Sequence, residues 1–346
     1  MNQHAHDDDA PRPPALKDAL VRAVEAGGVA ALPAEVPAAL WRQALLGPAA
    51  EFLGRPGKEF RARLVELTFR GVGGAPGAMP EDLPNIVELL HAGSLIVDDV
   101  EDDSPARRGG PALHTLVGAP LAINCGSWMY FWALALIPRL PLDEAARASL
   151  MAAAVQTLVR CHQGQALDLA ARVGSVEPAH LPAVVAATTR GKTGALMGLA
   201  ARLGATAGGA DVARVEQLAR VGEELGVALQ LLDDVGGLGG PSAGARHAKG
   251  LEDVRDERPT WAWALLAETQ DQLTVARLQH RVRAHRGDPD EIAAILASLG
   301  AAVREVGRAR VAAQLAELRR ALATLLSPEV AREAEHELAR LEVSYG

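Results

Sequence analysis

Residues 94–103 read SLIVDDVEDD, an apolar run that passes directly into five acids within six residues. Apolar residues recur at three- and four-residue spacing here and in two longer stretches, RVEQLARVGEELGVALQLLDD (214–234) and RVAAQLAELRRALATLL (310–326). This spacing places apolar side chains on one face of an α-helix. No alternating strand pattern of convincing length accompanies it. The sequence therefore predicts an all-α fold.

Composition favours the same fold class. Of the 346 residues, 49% are hydrophobic but only 3% are aromatic, so alanine and leucine supply much of the apolar content. Both are strong helix formers, whereas strands favour β-branched and aromatic side chains. Gly- and Pro-rich breaks fall at 71–84, 104–111 and 236–244, and none reads as a linker between folding units. We expect a disordered tail over residues 1–14 and a single helical domain over 15–346.

The charge balance and the N-terminus limit the partners. The formal net charge is −8, which gives no general basic field for nucleic acid. The first residues are acidic and proline-rich, unlike a signal peptide. The best membrane candidate, Leu121 to Ile137, is 17 residues long and is interpreted as a buried core helix. With Cys125 and Cys161 as ordinary free thiols, we expect a cytoplasmic protein without a membrane span.

The acid cluster after the apolar run predicts a metal site. On a helix, Asp98 and Asp102 lie four residues apart and share one face. Two carboxylates there repel unless a cation lies between them, and hard oxygen ligands suit Mg²⁺, which also bridges to substrate phosphates. The alternative is a solvated acidic helix end.

A second Asp-Asp pair follows another apolar helix. Gln230 precedes Asp233 and Asp234, and a glycine-rich loop comes next. A role at a helix end or in a turn is the plainer interpretation of this pair. If the two helices lay side by side, however, they would form a metal-bridged clamp for a diphosphate.

Basic residues flank both acid clusters. Arginine offers a fork of donors for phosphate oxygens, and lysine offers a point charge. Each of these cations alone could be an ordinary surface residue, but together they indicate a substrate that carries phosphate with a metal. They are Lys58, Arg61, Arg107, Arg108, Lys192, Lys249 and Arg258.

Six motifs in this order resemble the trans-prenyl diphosphate synthase family, most closely its geranylgeranyl diphosphate synthases. The resemblance covers roughly residues 50 to 265. The motifs are PGKEFR, LLHAGSLIVDDVEDDSPARRGGPALH, CHQGQALDL, KTGAL, LQLLDDVGG and KGLEDVRDERPTW. The resemblance implies a bundle of antiparallel helices around a deep cavity, usually as a homodimer. It also implies isopentenyl diphosphate and an allylic diphosphate as substrates, with three Mg²⁺ ions, for which Mn²⁺ could substitute.

The resemblance also assigns residue roles. Asp98 and Asp102, with Asp99 beside them, correspond to the ligands that hold Mg²⁺ on the allylic diphosphate. Asp233, supported by Asp234 and Gln230, corresponds to the ligand of the third metal ion. Asp168 and Gln165 correspond to support for this site. The isopentenyl diphosphate site would comprise Lys58, Arg61, His91 and Arg108, and the allylic diphosphate site Arg107, Lys192 with Thr193, Lys249 and Arg258.

The residues one helical turn before Asp98 bear on product length. They are Gly93 and Ser94, where family members that stop at C15 tend to carry aromatics. Small residues would leave a tunnel open, which predicts a C20 or longer product, with Trp128 and Met129 closing it lower down. A stripe of methionine and aromatics is also common in plain core packing.

Three departures from the family pattern stand out. The second acid motif lacks a final aspartate, Glu257-Arg258 replaces the usual Gly-Lys, and Trp261 and Trp263 are bulky additions.

Two other functions fit parts of the pattern. A terpene cyclase of the same fold would ionise an allylic diphosphate but would not need the isopentenyl diphosphate residues, which this chain retains. A non-catalytic partner subunit commonly loses the aspartates of the two acid motifs. This chain keeps all five of them, Asp98, Asp99, Asp102, Asp233 and Asp234.

Overall fold

A computed structural model describes residues 16–28, 31–57, 59–240 and 244–345. The tail predicted to be disordered and Lys58 lie outside the described residues. Within them, helices dominate and the all-α prediction is confirmed. In chain order the helices are α1 (Leu16–Glu25), α2 (Ala38–Trp41), α3 (Gly47–Leu53), α4 (Phe60–Gly71), α5 (Leu83–Glu101), α6 (Leu113–Val117), α7 (Ala119–Leu136), α8 (Glu144–Ala170), α9 (Leu181–Thr189), α10 (Ala195–Ala207), α11 (Val212–Gly237), α12 (Ala245–Arg255), α13 (Trp261–Thr269), α14 (Gln272–His285), α15 (Pro289–Leu325) and α16 (Pro328–Tyr345).

Shorter elements join some of these helices. Two π-helical segments, Arg42–Leu46 and Arg190–Gly194, connect α2 to α3 and α9 to α10. Strands β1 (Ala106–Arg107) and β2 (Gly110–Pro111) form an antiparallel hairpin in which Ala106 pairs with Pro111 and Arg107 with Gly110. Short 3₁₀ turns lie at Ile137–Arg139, Val173–Ser175 and Pro178–His180.

The described residues divide into two compact units. The first unit comprises the described residues within 1–62 and 81–141, and the second unit comprises those within 63–80 and 142–346. The single domain expected over 15–346 stays a prediction.

In the first unit, α5 and α7 pack together through two glycines. A Cβ atom on Gly93 would lie 2.6 Å from the carbonyl oxygen of Gly126, and one on Gly126 would lie 2.9 Å from that of Gly93. Real side chains do not tolerate such distances, so only glycine allows this approach of the two backbones. Ile86, Leu89 and Ile96 are fully buried on α5 and supply apolar area to the core.

Helix α7 carries the predicted membrane candidate. The stretch Ala119–Arg139 is long and apolar enough to cross a membrane by length and composition, with a mean hydropathy of 1.3. About half of it (44%) is buried inside the fold. Its close contact with α5 at Gly126 is the packing expected of a core helix.

In the second unit, aspartates start four helices. The side chains of Asp143, Asp211, Asp271 and Asp288 accept hydrogen bonds from the first-turn N–H groups of α8, α11, α14 and α15. N-cap acceptors satisfy donors that have no partner within the helix and stabilise each helix by about 1 kcal/mol.

The last two helices are held to the second unit by ion pairs. Glu333 on α16 accepts two hydrogen bonds of 2.8 Å from Arg70 and one of 3.0 Å from Arg63, both on α4. The fork of Arg70 matches the carboxylate in a bidentate pair. Arg319 on α15 also lies 2.8 Å from Glu342 on α16, so these two helices form a packed hairpin.

Candidate active site

The end of α5 separates the first acid cluster into three environments. The Asp102 N–H donates to the Asp98 carbonyl oxygen at 2.9 Å, so both residues remain in helical register and share one face, as predicted. Asp99 is fully buried. Asp103 has φ +50° and Ser104 N–H donates to the Asp99 carbonyl, the geometry of a left-handed helix cap. Asp103 therefore ends the helix, with its side chain in solvent.

Arg107 on β1 holds the buried carboxylate. Its Nε donates to Asp99 Oδ1 at 2.7 Å, and its Nη2 lies 3.4 Å from Asp98 Oδ2. Burial raises the pKa of Asp99, and the hydrogen bond and charge of Arg107 oppose that rise. The other oxygen of Asp99 is buried without a hydrogen-bond partner. Arg107, predicted to bind the allylic diphosphate, thus contacts the acids directly.

The β-hairpin determines where the two neighbouring arginines point. Its two-residue turn is Arg108 and Gly109, with φ +52° and +78°. Positive φ at both positions is the signature of the tight hairpin turn that suits the twist of the strands. From its Gly and Pro content, 104–111 is predicted only as a break between helices, because strands of two residues leave no alternating pattern.

Arg108 lies in a second group of charged residues. Its guanidinium carbon is 5.3 Å from the centre of the Phe52 ring, within range of a cation–π interaction. Burial lowers the pKa of Arg108, and the nearby cations Arg61 and Arg107 lower it further. A bound anion would relieve this repulsion, which is the electrostatic character expected of a phosphate site.

His91 belongs to the same group. Burial, followed by the positive charges of Arg61 and Arg108, lowers its pKa well below the ordinary value of 6.5. His91 is therefore neutral at neutral pH and can donate a ring N–H without adding charge. Arg61, His91 and Arg108, which the family resemblance assigns to one site, interact electrostatically in the first unit; Lys58 lies outside the described residues.

Sequence reasoning missed Glu88 in this group. Glu88 lies one turn before His91 on α5 and accepts a hydrogen bond of 3.1 Å from the Ala62 N–H. Burial raises its pKa, and the charge of Arg61 opposes the rise. The only signal in the sequence is its three-residue spacing from His91.

In the second unit, Asp234 has a structural partner at each oxygen. It accepts from Gln230 Nε2 at 2.9 Å and from the Trp261 N–H at 2.8 Å. The second bond caps the start of α13 through the Trp261 backbone, and the indoles of Trp261 and Trp263 are buried as part of the core. Burial raises the pKa of Asp234 to about 7. Asp234 thus supports the helix that carries Asp233.

Asp168 forms ion pairs with two of the predicted cations. Its Oδ2 lies 2.5 Å from Lys192 Nζ and 3.5 Å from Arg258 Nη1. Lys192 lies in the second π-helical segment, a distortion often found at functional sites. Thr193, predicted beside Lys192 at the allylic diphosphate, lies 3.4 Å from Gln230, which is predicted to support Asp233.

A close backbone contact places Lys192 beside Asp168. A Cβ atom on Gly164 would lie 2.8 Å from the Lys192 backbone nitrogen, and one on Gly191 would lie 2.7 Å from the Gly164 Cα. Gly164 is one turn before Asp168 on α8, and Gln165 lies between them. The contact of the two glycines therefore holds the acid and the lysine at salt-bridge distance.

The Glu257-Arg258 departure has a local explanation. Glu257 has φ +55°, and Arg258 N–H donates to the Asp253 carbonyl at 2.9 Å, so Glu257 takes the left-handed cap position after α12. Its carboxylate accepts from Gly174 N–H at 3.2 Å, and its carbonyl accepts from Val173 N–H at 2.7 Å. Glu257 is thus turned toward the 3₁₀ turn, and its neighbour Arg258 reaches Asp168. Lys249, one turn before Asp253 on α12, donates a hydrogen bond of 2.9 Å to the Asp253 carboxylate.

The residues proposed for the product tunnel have separate surroundings. The α7 backbone and the Tyr130 ring occupy the space beside Gly93, so packing explains why glycine is found there. Ser94 Oγ donates to the His91 carbonyl at 2.8 Å. Trp128 stacks on Trp132 at 5.0 Å between ring centres, about 200° around α7 from Gly126. Met129 is fully buried.

The donor set fits magnesium held together with a phosphate. Among the described residues, no three His, Cys, Asp or Glu side chains form a ready metal cluster. Mg²⁺ keeps several waters and is commonly bound by one or two carboxylates plus substrate phosphates. Asp98 and Asp102 on one helical face are such a pair, and Arg107 supplies a neighbouring cation for phosphate.

Comparisons with known proteins agree with this chemistry. Residues 42–299 match the family described as polyprenyl synthetase. A short chain isoprenyl diphosphate synthase of Methanothermobacter thermautotrophicus is 33% identical over 194 residues, 56% of this chain and 58% of that protein. Geranylgeranyl pyrophosphate synthase 2 of Zymoseptoria tritici is 32% identical over 192 residues, 56% of this chain and 55% of that protein. The chain thus spans a little over half the length of these curated relatives.

The solved structures extend the match to nearly the whole chain. A geranylgeranyl pyrophosphate synthase from Corynebacterium glutamicum, complexed with isoprenyl diphosphate and magnesium, superposes with a TM-score of 0.74 at 22% identity, over 95% of each chain. The fold is therefore the all-helical fold of isoprenyl diphosphate synthases. Because the family match covers most of its length, the chain belongs to the polyprenyl synthetase family.

The neutral state of His91 gives a pH dependence with a definite sign. Between the ordinary pKa of 6.5 and the lower folded value, the unfolded chain binds the proton and the native protein does not. The contribution of His91 to stability therefore falls as the pH drops below about 6.5, by up to about 1.4 kcal/mol per pH unit, while Asp234, whose pKa is raised to about 7, contributes with the opposite sign. His91→Gln should remove the His91 contribution, so that its stability falls less than that of wild type in urea titrations from pH 7.5 to 5.5. The exposed His180→Gln should keep it, and an unchanged slope in His91→Gln would contradict the assignment.

The left-handed cap at Glu257 predicts an unusual order of stabilities. Both Glu257→Ala and Glu257→Gly lose the hydrogen bond to Gly174, but only alanine keeps the cost of positive φ. We expect Glu257→Gly to unfold at a higher urea concentration than Glu257→Ala, with a difference of about 1 kcal/mol. An equal or reversed order would show that residue 257 is not left-handed in solution.

Proposed function

We propose that the protein is a magnesium-dependent prenyltransferase that condenses isopentenyl diphosphate with an allylic diphosphate to a trans-prenyl diphosphate. The observation that carries this is the grouping of Arg61, Arg108 and neutral His91 near the Asp98–Asp99–Arg107 contacts. A terpene cyclase would need the acids but not a second anion site. The geranylgeranyl pyrophosphate synthases among the relatives and solved structures support the same activity.

Mg²⁺ would be held by Asp98 and Asp102 in the first unit and by Asp233 in the second, with three ions proposed and Mn²⁺ as a substitute. When bound, the metal neutralises the negative charge that develops on the leaving diphosphate. Arg107, Lys192, Lys249 and Arg258 are proposed to bind the oxygens of the allylic diphosphate, with Thr193 beside Lys192. Asp168, Asp234, Gln165 and Gln230 keep these groups in place.

The remaining predicted residues would bind isopentenyl diphosphate, whose double bond is the nucleophile. Arg61, Arg108, Lys58 and His91 would hold isopentenyl diphosphate so that its double bond attacks the allylic carbon as the C–O bond breaks. An apolar surround that excludes water protects the allylic cation from hydrolysis. A proton is then lost from the condensed product, and the departing diphosphate can accept it. The chain supplies charge and orientation, and no protein nucleophile is required.

Product length is proposed to be C20 or longer. Ser94, one turn before Asp98, is small, and the relatives that match include geranylgeranyl synthases. Gly93 contributes through packing, since α7 occupies the space beside it.

The proposal is tested by incubating purified protein with Mg²⁺, isopentenyl diphosphate and, in turn, dimethylallyl, geranyl and farnesyl diphosphates. Mass spectrometry before and after phosphatase treatment should show a linear C20 or longer diphosphate. A hydrocarbon formed without isopentenyl diphosphate would identify a cyclase instead, and no product from any primer would indicate a partner subunit.

The end of α5 offers a matched pair of variants. Asp98→Asn should lower kcat on the order of 100-fold or more, because it removes a ligand of the charge-neutralising metal. Asp103→Asn removes a charge from the same cluster, but Asp103 is an exposed cap and asparagine also accepts a left-handed backbone. It should keep near wild-type turnover. Circular dichroism checks that both fold, and equal kcat values for the two variants would refute the metal assignment.

We also propose that the protein is a homodimer, as in the family it resembles. Helix α7 exposes Ile123 and Phe131, the latter 69% exposed, and α8 exposes Val155 and Val159 one turn apart. A second copy of the chain would bury these apolar side chains. Light scattering after size exclusion should give twice the chain mass, and Phe131→Glu should shift it toward the monomer. A monomeric wild-type protein at micromolar concentration would contradict the proposal.

A further inference from the structure

Arg55 is a buried arginine to which the sequence assigns no role. It follows α3 and is only 7% exposed. Its Nε and Nη2 donate to the carboxylate of Glu51 at 2.9 to 3.0 Å in a bidentate pair. Its guanidinium carbon also lies 5.5 Å from the centre of the Phe52 ring. A buried guanidinium of this kind is held in one orientation by its pair, with donors left for other acceptors.

The remaining donors bind the β-hairpin. Nη1 donates to the Arg107 carbonyl at 2.9 Å, and Nη2 donates to the Pro111 carbonyl at 2.7 Å. These two carbonyls lie on opposite sides of the Arg108-Gly109 turn. One side chain therefore fixes both strands of the hairpin to α3. Two strands of two residues each are too short to hold a hairpin by themselves.

The hairpin carries the two arginines that face different parts of the site. Arg107 contacts Asp99 and Asp98, whereas Arg108 lies over the Phe52 ring beside Gly57. Phe52 thus has Arg55 and Arg108 within 5.5 Å of its ring centre. A shift of the hairpin would move both guanidiniums together, away from the acids and away from Arg61 and His91.

We propose that Arg55 is a positioning residue for substrate diphosphate, which clamps the hairpin so that Arg107 meets the acids while Arg108 completes the anion site with Arg61 and His91. This inference deepens the proposed function and rests on it for the identity of the substrate. Arg55 acts through Arg107 and Arg108 and does not itself touch the reacting groups.

The first test uses Arg55→Met, which keeps the apolar stem, and Arg55→Lys, which keeps the charge but has no fork. The KM for isopentenyl diphosphate should rise on the order of tenfold in Arg55→Met, because small displacements of binding groups are costly. Arg55→Lys should lie between Arg55→Met and wild type. Arg202→Met is the matched control, since Arg202 makes an equally bidentate pair with Glu216 within the second unit and, among the described residues, contacts neither the hairpin nor α3 in any hydrogen bond; its KM should stay within twofold of wild type.

A double-mutant cycle separates positioning from general stability. Inorganic pyrophosphate is the probe, and its Kd is measured by calorimetry for Arg55→Met, Arg108→Gln and the double variant. If Arg55 acts through Arg107 and Arg108, Arg55→Met weakens pyrophosphate binding about tenfold alone and by roughly threefold in the Arg108→Gln background, where only the part through Arg107 remains. Glu51→Gln, which loosens Arg55 without removing it, should show a smaller effect of the same sign.

Two outcomes would overturn the inference. One is a folded Arg55→Met with wild-type KM and pyrophosphate Kd and only a lower Tm, and the other is penalties that multiply fully with Arg108→Gln. The pyrophosphate measurement needs no turnover. If wild-type protein makes no prenyl diphosphate, the proposed function fails, while the cycle still decides the role of Arg55.

Discussion

The close approach of helix backbones at paired glycines is the constraint on which the charged clusters of each unit depend. Gly93 meets Gly126 in the first unit, and Gly164 meets Gly191 in the second, each at distances that leave no room for a Cβ atom. Asp98 lies five residues beyond Gly93, Asp168 one turn beyond Gly164, and Lys192 next to Gly191. Packing at these glycines therefore sets the positions of charged groups within about one turn. Larger side chains would separate the helices and the charges with them.

Two helix ends use an acid where glycine is usual. Asp103 after α5 and Glu257 after α12 both have a left-handed backbone, and in each case the next N–H closes back onto the helix. The strain amounts to about 1 kcal/mol at each site. At Glu257 the carboxylate offsets it by binding the 3₁₀ turn, and Arg258 is then directed to Asp168. Helix α5 ends at Glu101 and α12 at Arg255, so Asp102 is the C-cap of α5 and Asp253 lies in the last turn of α12.

The sequence predicts most of the fold, because helices leave a periodic signal, whereas the roles proposed for the site residues rest on clustered charge and on the family resemblance. Apolar spacing predicted helices through α5 and α11, and the acids at the ends of both helices were found by charge alone. The β-hairpin was missed, since its pairing depends on Arg55, which is far away in sequence. Glu88 and Arg55 were missed because a single buried charge has no pattern; only its partners in three dimensions identify it.

Ion pairs between the predicted cations and neighbouring acids determine how a charged ligand can bind. The cations assigned to phosphate are already paired with acids in the structure: Arg107 with Asp99, Lys192 with Asp168, and Lys249 with Asp253. Partly buried charges need such partners, because isolation from water is costly. A magnesium diphosphate carries both signs, so its oxygens can bind these cations while its metal is held by the proposed ligands Asp98, Asp102 and Asp233. Diphosphate without metal would draw the cations from their acids and add negative charge beside those carboxylates, and metal without diphosphate would add positive charge beside the cations. We therefore expect metal and diphosphate to bind cooperatively, each strengthening the affinity for the other, which follows from the linkage between two ligands that share one set of charges.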